Sequence, residues 1–276
     1  MRSIVCLGDL ALDSYVNTHR RYVGGISFNV AWNLRLSGVD ARVVSAVGND
    51  EDGAAVLRTL TLRNVPLEGI AVRDGLTAGQ SIIIAPHGER IFNGYRAGVL
   101  STLSLKDLAR IDLSHVKALH VPLSDGLEEL FDTVAHQVGG ITKIADLSIN
   151  GPNDGGLQAS VRRYLPYFDL LCIGGSGEDT REIAELATSC PEKTIILTLG
   201  KEGAVCFHDG VSYEQQAIPV SHVVDTTGCG DGFQAAFIAH WLADRNDIQN
   251  ALRAGAAQGA KIASILGATD CMIDER

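Results

Sequence analysis

The residues whose types and spacing could do chemistry lie in Val224-Asp225-Thr226-Thr227-Gly228-Cys229-Gly230-Asp231-Gly232-Phe233, a glycine-rich turn that runs into an apolar helical stretch at 233–241. Glycines let successive backbone N–H groups converge, and a following helix adds partial positive charge at its N-terminus, so such a turn suits an anion. A carboxylate at Asp231 would meet both that anion and an incoming hydroxyl. It could accept the hydroxyl proton while the N–H groups of Gly228, Cys229 and Gly230 hold a transferring phosphoryl group. The same four residues would serve equally as a tight turn and a helix cap.

Three further segments could supply a pocket. Gly24-Gly25 precedes a helical stretch carrying Asn29, whose amide offers both donor and acceptor to a hydroxyl. Asp9 and Asp13 follow the first apolar run, where an aspartate caps as readily as it binds. Thr198-Leu199-Gly200-Lys201-Glu202-Gly203 closes another apolar run. It contains no GxxxxGK[ST] phosphate loop, so Lys201 is not a P-loop lysine.

These segments need elements to position them. Short apolar runs at 3–7, 41–47, 118–121, 142–145, 170–173 and 194–199 read as buried strands. Helical spacing fills 29–36, 53–62, 126–138, 180–187, 232–242 and 247–266. The alternation predicts βαβ units and an α/β fold with a mainly parallel central sheet covered on both faces. Ligands of such sheets bind at the carboxyl ends of the strands, where Asp9 and Thr198 fall. One stretch breaks the rhythm: residues 80–85 and 90–95 flank Pro86-His87-Gly88-Glu89 and predict a hairpin. With the polar, exposed-looking segment 14–23, it is expected to form a small β lid over 14–23 and 80–96.

Composition excludes several functions. The chain has 276 residues, of which 46% are hydrophobic, enough for one substantial core, so a single domain over 1–276 is expected. A net charge of −10 without a basic run argues against nucleic acid. No apolar run is long enough for a bilayer, and no secretory leader is seen at the start, so a cytoplasmic location is expected. The six cysteines, Cys6, Cys172, Cys190, Cys206, Cys229 and Cys271, lie singly and read as reduced thiols. A dinucleotide oxidoreductase would need GxGxxG after the first strand, and Gly8-Asp9-Leu10 does not supply it.

Asp225-Thr226-x-Gly228-x-Gly230-Asp231 followed by Phe233 resembles the C-terminal signature of the ribokinase (PfkB) family of carbohydrate kinases, DTxGAGDxF, with Cys229 in the alanine place. A thiol at a phosphate cradle is expected to have a lowered pKa and to be sensitive to oxidation. Gly24-Gly25-Ile26-Ser27-Phe28-Asn29-Val30-Ala31 resembles the family's GG-x-x-x-N-x-A segment at the sugar pocket. Gly8-Asp9-Leu10-Ala11-Leu12-Asp13 is similar to its G-N/D-x-x-x-D pattern, with Asp13 in the place of a sugar-binding carboxylate. Gly48-Asn49-Asp50-Glu51-Asp52-Gly53 resembles a VGxDxxG turn, for which the ordinary role of a helix cap suffices. Thr198, Gly200 and Gly203 resemble the T-x-G-x-x-G segment that approaches ATP. The resemblance runs from residue 3 to about 268.

What the resemblance implies is a ribokinase-like three-layer sandwich and ATP-dependent phosphorylation of a primary sugar hydroxyl. Asp231 would be the base, Gly228, Cys229 and Gly230 the anion hole, and Asp9, Asp13, Gly24, Gly25 and Asn29 the sugar site. ATP and Mg²⁺ are the implied cofactors, and in several members a monovalent cation such as K⁺ occupies the positions of Asp225 and Thr227. The family's N-x-x-E is missing after residue 173, where Gly174-Gly175-Ser176-Gly177 leads to Glu178, the nearest substitute for a metal-supporting residue. The short chain and Phe92-Asn93-Gly94-Tyr95 resemble the fructoselysine 6-kinase subgroup, so a fructosamine-type substrate is the first expectation. Ribose, fructose, 2-keto-3-deoxygluconate, nucleosides and a non-catalytic binding role stay open, as does a homodimer.

Overall fold

A computed structural model describes residues 3–147 and 156–275 of the chain. The chain opens with β1 (Ser3–Leu7), β2 (Ala11–Tyr15), β3 (Arg20–Gly24), α1 (Ile26–Leu36), β4 (Asp40–Gly48), α2 (Glu51–Leu62) and β5 (Ile70–Arg73). The hairpin β6 (Gly79–Ile84) and β7 (Arg90–Arg96) comes next, then β8 (Val116–Leu123), α3 (Glu128–Gln137), β9 (Thr142–Leu147) and α4 (Leu157–Tyr164). β10 (Leu170–Gly174), α5 (Thr180–Ser189), β11 (Thr194–Thr198), β12 (Ala204–His208) and β13 (Val211–Gln215) follow. The chain then forms α6 (Cys229–Trp241), α7 (Ile248–Ala263) and β14 (Met272–Glu275).

The large sheet has the strand order β13-β12-β11-β10-β9-β8-β1-β4-β5. From β11 to β5 all neighbours are parallel, and β12 and β13 add an antiparallel edge. Alternation along the strands makes the layers. Ile4 and Cys6 of β1 face a core with Phe28 and Leu34 of α1, Val56 of α2, Phe237 and Trp241 of α6 and Leu252 of α7. Val5 and Leu7 face the opposite core, with Phe131 of α3, Val161 of α4 and Ile183 of α5. Helices therefore cover both faces of the sheet, the three-layer arrangement expected from the alternation of strands and helices.

A second sheet, in the order β14-β3-β2-β6-β7, stands beside the first. It holds the predicted hairpin, but the other lid segment differs from the expectation. Only residues 16–19 of the segment 14–23 are exposed, while Tyr15, Arg21, Tyr22 and Val23 are buried. Tyr15 and Tyr22 pack edge to face, with centroids 5.5 Å apart, over Ile82, and the C-terminal β14 pairs with β3. The polar character of 14–23 had concealed two strands, of which Tyr15 and Tyr22 join Ile82 in a small core while Val23 packs into a large one. The outer strand β7 is exposed along its whole length.

Parallel strands all present their carboxyl ends to one edge of the large sheet. Gly8 and Asp9 after β1, Asp146 near the end of β9, Gly175 after β10 and Gly200 after β11 therefore line up along that edge. Among the described residues no helix is long and apolar enough to cross a membrane. All six cysteines are free.

Candidate active site

The site is organised around the start of α6. Gly228 is its cap, at φ 75°, a left-handed conformation that glycine adopts without strain. Gly228 also lies so close to Ala268 that an added Cβ would sit 2.3 Å from the alanine Cβ. Helix bonding begins with Gly232 N–H donating to Gly228 O at 2.8 Å. The N–H groups of Gly228, Gly230 and Asp231 find no acceptor among the described residues, whereas that of Cys229 turns back to Thr226 O at 3.3 Å. A Cβ built on Gly230 would meet nothing within 4 Å. Open space thus faces a set of free backbone donors at a helix N-terminus, which is the geometry of an anion site.

Asp231 stands in the first turn of that helix. Its Oδ2 accepts a hydrogen bond from Asn29 Nδ2 at 2.8 Å, so the two residues predicted from separate segments meet directly. Burial raises the Asp231 carboxyl to about 6; the Asn29 bond opposes that rise, the negative charge of Asp9 adds to it, and Arg90 draws it down. Asn29 Oδ1 is buried without a partner.

Asp9 and Asp13 differ in how they are used. Both oxygens of Asp9 are engaged at the start of α1, accepting from Ile26 N at 2.7 Å and Ser27 N at 2.9 Å. Asp9 is therefore the cap that aims α1, and with it Asn29, into the site. Asp13 is 5% exposed and accepts no hydrogen bond from any described residue. Burial, then the charges of Asp9, Asp231 and Asp225, hold its carboxyl well above the ordinary carboxylate range. Gly24 lies against it: an added Cβ would fall 2.0 Å from Asp13 Oδ2. Gly25, at φ 101°, passes so close to the backbone of Asp9 that a Cβ would lie 2.8 Å from its carbonyl oxygen.

Cys229 corrects one expectation. Burial pushes its thiol up to about 12, with Asp225 and Asp231 adding to the rise and Arg90 opposing it. The N-terminal field of α6 does not overcome burial among carboxylates, so the group stays a protonated thiol rather than a reactive thiolate.

Asp225 is fully buried and holds the loop together. Its Oδ1 accepts from Thr227 N at 2.8 Å, and its Oδ2 accepts from Tyr15 O–H at 2.7 Å and Gly267 N at 2.9 Å. These bonds tie the glycine-rich turn to β2 of the small sheet and to the loop after α7. Thr227 Oγ1 is buried and unpartnered. A monovalent cation of the kind the resemblance implied would therefore share the Asp225 carboxylate with three donors already bound to it. Glu178 is exposed in a short turn after β10. Among the described residues no group of three or more His, Cys, Asp or Glu side chains could hold a metal ion.

At the end of β11, Thr198 Oγ1 donates to Ile173 O at 3.1 Å and Thr198 O accepts from Gly175 N at 3.0 Å. The next turn closes by Leu199 N donating to Gly203 O at 2.8 Å and Gly203 N donating to Gly200 O at 3.1 Å. A Cβ on Gly200 would meet open space, whereas Gly203, at φ 108°, packs within 2.0 Å of Gln215 O by the same construction. Gly200 faces outward and Gly203 fixes the turn.

Sequence reasoning missed a buried chain beneath Asp231. One helical turn along α6, Gln234 Nε2 donates to Asp146 Oδ2 of β9, and Gln234 Oε1 meets His120 Nε2 of β8 at 3.2 Å. Burial and the charge of Asp231 push Asp146 up to about 7, and burial lowers His120 to about 4. A signal was available, since Asp146 ends an apolar run as Asp9 does. Arg90 was also missed, because only the folded hairpin carries it to Thr226.

Comparisons with known proteins identify the family. The pfkB family of carbohydrate kinases matches residues 1–275. A fructosamine kinase of Bacillus subtilis (strain 168) is 28% identical over 270 residues, covering 96% of this chain and 92% of the relative. A fructoselysine 6-kinase of Escherichia coli (strain K12) is 26% identical, covering 97% of this chain and 100% of the relative. Kinases named for other sugar substrates also match most of the chain. Among solved structures, a Vibrio cholerae O395 fructokinase with fructose, ADP and calcium superposes with a TM-score of 0.77 at 20% identity, covering 98% of this chain and 96% of that one. With a family match over nearly its whole length and an α/β architecture shared with ribokinase-like structures, the chain belongs to the pfkB family of carbohydrate kinases and is an ATP-dependent sugar kinase.

Proposed function

We propose that this kinase phosphorylates a primary hydroxyl of a fructosamine-type sugar, with Asp231 as the base. The observation that carries the catalytic part is the Asn29–Asp231 bond at 2.8 Å beside the free N–H groups of Gly228, Gly230 and Asp231. It sets a carboxylate of raised pKa next to a site built for a phosphoryl group. The substrate class is supported by the two relatives named for fructosamine and fructoselysine and by the charge around Asp13. That carboxyl is buried among Asp9, Asp231 and Asp225. A sugar carrying a protonated amine relieves the repulsion that a neutral sugar leaves in place.

In this reading Asp13 accepts hydrogen bonds from sugar hydroxyls, with Gly24 and Gly25 allowing the chain to lie close beside it. Asn29 Oδ1, unpaired in the free protein, accepts another. Asp9 acts through α1, as the cap that aims Asn29, and not by contact with the sugar. The nucleotide lies along Thr198, Gly200 and Gly203. Mg²⁺ would be held chiefly by the nucleotide phosphates and would supply neutralisation of their charge. The sugar oxygen attacks the γ-phosphorus in line, its proton passes to Asp231, the bond from phosphorus to the bridging oxygen breaks, and ADP leaves. Backbone N–H groups at the α6 N-terminus hold the negative charge on the equatorial oxygens.

The test is ADP release from ATP·Mg²⁺ with fructosyl amino acids, fructose, ribose, 2-keto-3-deoxygluconate and nucleosides, run beside Asp231→Asn. Turnover of fructosyl amino acids above all others is expected. The variant should lose about a hundredfold or more in kcat with ATP affinity nearly unchanged. Preference for a neutral sugar would overturn the substrate class, and a variant with wild-type kcat would overturn the base.

A further inference from the structure

We propose that Asp125 and Glu128, with the ring of Tyr95, form a subsite for a positively charged group at the far end of the substrate's amino substituent. The inference rests on the fructosamine reading above and deepens it.

The small sheet sets the direction. Asp13 of β2 is in register with Gln80 of β6, and Gln80 with Tyr95 of β7. Residues paired in this way share one face, so the Tyr95 ring stands in the same row as the buried, unpaired carboxyl of Asp13. Two strand spacings separate them, about 10 Å, which leaves room for a substituent beyond the sugar. Tyr95 also reaches across to the large sheet, where its O–H donates to Asp125 O at 3.3 Å in the loop between β8 and α3. Gly126 of that loop, at φ 83°, lies against Ala97 just after β7, and an added Cβ would come within 2.7 Å of the alanine Cβ. Leu127 is fully buried and anchors the loop, while Asp125 before it and Glu128 after it are exposed.

Charge points to the occupant. Partial burial, then the charges of Asp9, Asp125, Glu128 and Asp13, raise the Tyr95 phenol, so the carboxylates of the sugar site and of the loop act on one ring. Among the described residues neither Asp125 nor Glu128 forms an ion pair. Arg96, the neighbour of Tyr95, points to the other face of the hairpin, where it donates to Thr77 O at 3.0 Å and pairs with Asp52 at 3.5 Å. Ser124 Oγ, at the start of the loop, is buried without a partner among the described residues. Glu128 and Glu129 open α3 and suit its N-terminal field, but Asp125 lies before the helix and has no such use. The amine beside the sugar answers Asp13. A second positive charge further along the substituent answers Asp125 and Glu128, with the face of Tyr95 as an added attraction. A carboxylate at the same place is repelled.

The experiment uses three fructosamines of equal length, built on putrescine, aminobutanol and aminobutyrate, which differ only in ending in an ammonium, a hydroxyl or a carboxylate. Wild-type kcat/KM is expected to favour the ammonium tail over the hydroxyl by about tenfold, the scale of two exposed charge pairs, and the hydroxyl over the carboxylate. Added salt should narrow the spread. In the double variant Asp125→Asn, Glu128→Gln the spread should collapse to within about threefold, and Asp125→Lys with Glu128→Lys should turn the preference towards the carboxylate tail. Calorimetry on Asp231→Asn gives the same ranking as binding alone, without turnover. A wild-type spread within threefold, or a spread kept in the double variant whether or not all rates fall, would overturn the subsite. If fructose outran every fructosamine while the tail ranking and its collapse held, the substrate reading would fail and the subsite would stand. If the fructosamines were turned over best but without regard to the tail, the reading would stand and the subsite would fail; if none of the three bound, both would fail.

Discussion

At the scale of single residues, the environment of Asp231 decides when the enzyme can work. A general base must be ionised, so with the carboxyl raised to about 6, kcat should fall as pH drops through that value and level off above it. Asn29 donates to the ionised form and favours it. Asn29→Ala should therefore shift the acid limb to higher pH, and a pH profile of kcat for both proteins checks the direction. A limb unmoved or shifted downward would mean that the hydrogen bond does not act on the base. Cys229 gives the opposite case. Its thiol, pushed up to about 12 by burial, should resist alkylation at neutral pH, and Cys229→Ala should keep kcat within about threefold, because the free donors that face the anion belong to its neighbours Gly228, Gly230 and Asp231. Rapid inactivation by iodoacetamide, prevented by Cys229→Ala, would contradict this. Both expectations turn on what surrounds the side chain and not on its type, which is why the motif alone suggested a reactive thiol.

At the scale of elements, two close approaches make the sugar site. β3 passes against β2 with Gly24 beside the carboxyl of Asp13, and α1 starts under the carboxyl of Asp9. A methyl group at position 24 would need the space that Asp13 Oδ2 occupies. Gly24→Ala should thus raise the sugar KM about tenfold or more while ATP affinity holds, since the displaced group binds only the sugar. Steady-state kinetics with each substrate varied separates the two effects, and an unchanged sugar KM would remove Asp13 from the pocket. The small sheet is tied in at Asp225, which accepts from Tyr15 of β2, and at Thr226, which bonds to the hairpin turn. Those bonds explain why a segment legible only as a lid shares the architecture of the anion loop. Periodicity located six of the nine large-sheet strands and six of the seven described helices to within a few residues, and passed over β5, the antiparallel edge β12–β13 and the short helix α4. Nor did it find β2 and β3, because they are short and their apolar residues divide between the large cores, which take Ala11, Leu12 and Val23, and the small one, which takes Tyr15 and Tyr22.

At the scale of the whole molecule, the sheet gathers carboxylates that would separate if they could. Asp13 and Asp146 both have raised pKa values in the fold, so each ionises at a cost to stability. Below the unfolded value near 4 both forms of the chain carry these groups protonated, and nothing is lost; the penalty grows as pH rises from there towards the folded values. Asp13→Asn should stabilise the protein by on the order of 1 kcal/mol at neutral pH, with the gain shrinking towards pH 4 and activity lost. Thermal unfolding across that range tests the sign; a gain larger in acid than at neutrality would be the wrong one. The sequence by itself determined the alternation of strands and helices, the glycine-rich turn before α6 and the aspartates at strand ends, because these are local: periodicity sets the element, and glycine sets the turn. Only the tertiary structure decided that Asn29 reaches Asp231, that Asp9 serves as a cap while Asp13 goes unpaired, that Gln234 spans Asp146 and His120, and that Arg90 lands on Thr226. Each of those pairings joins residues far apart in the chain. Their distances follow from strand order and sheet contact, which no local pattern carries.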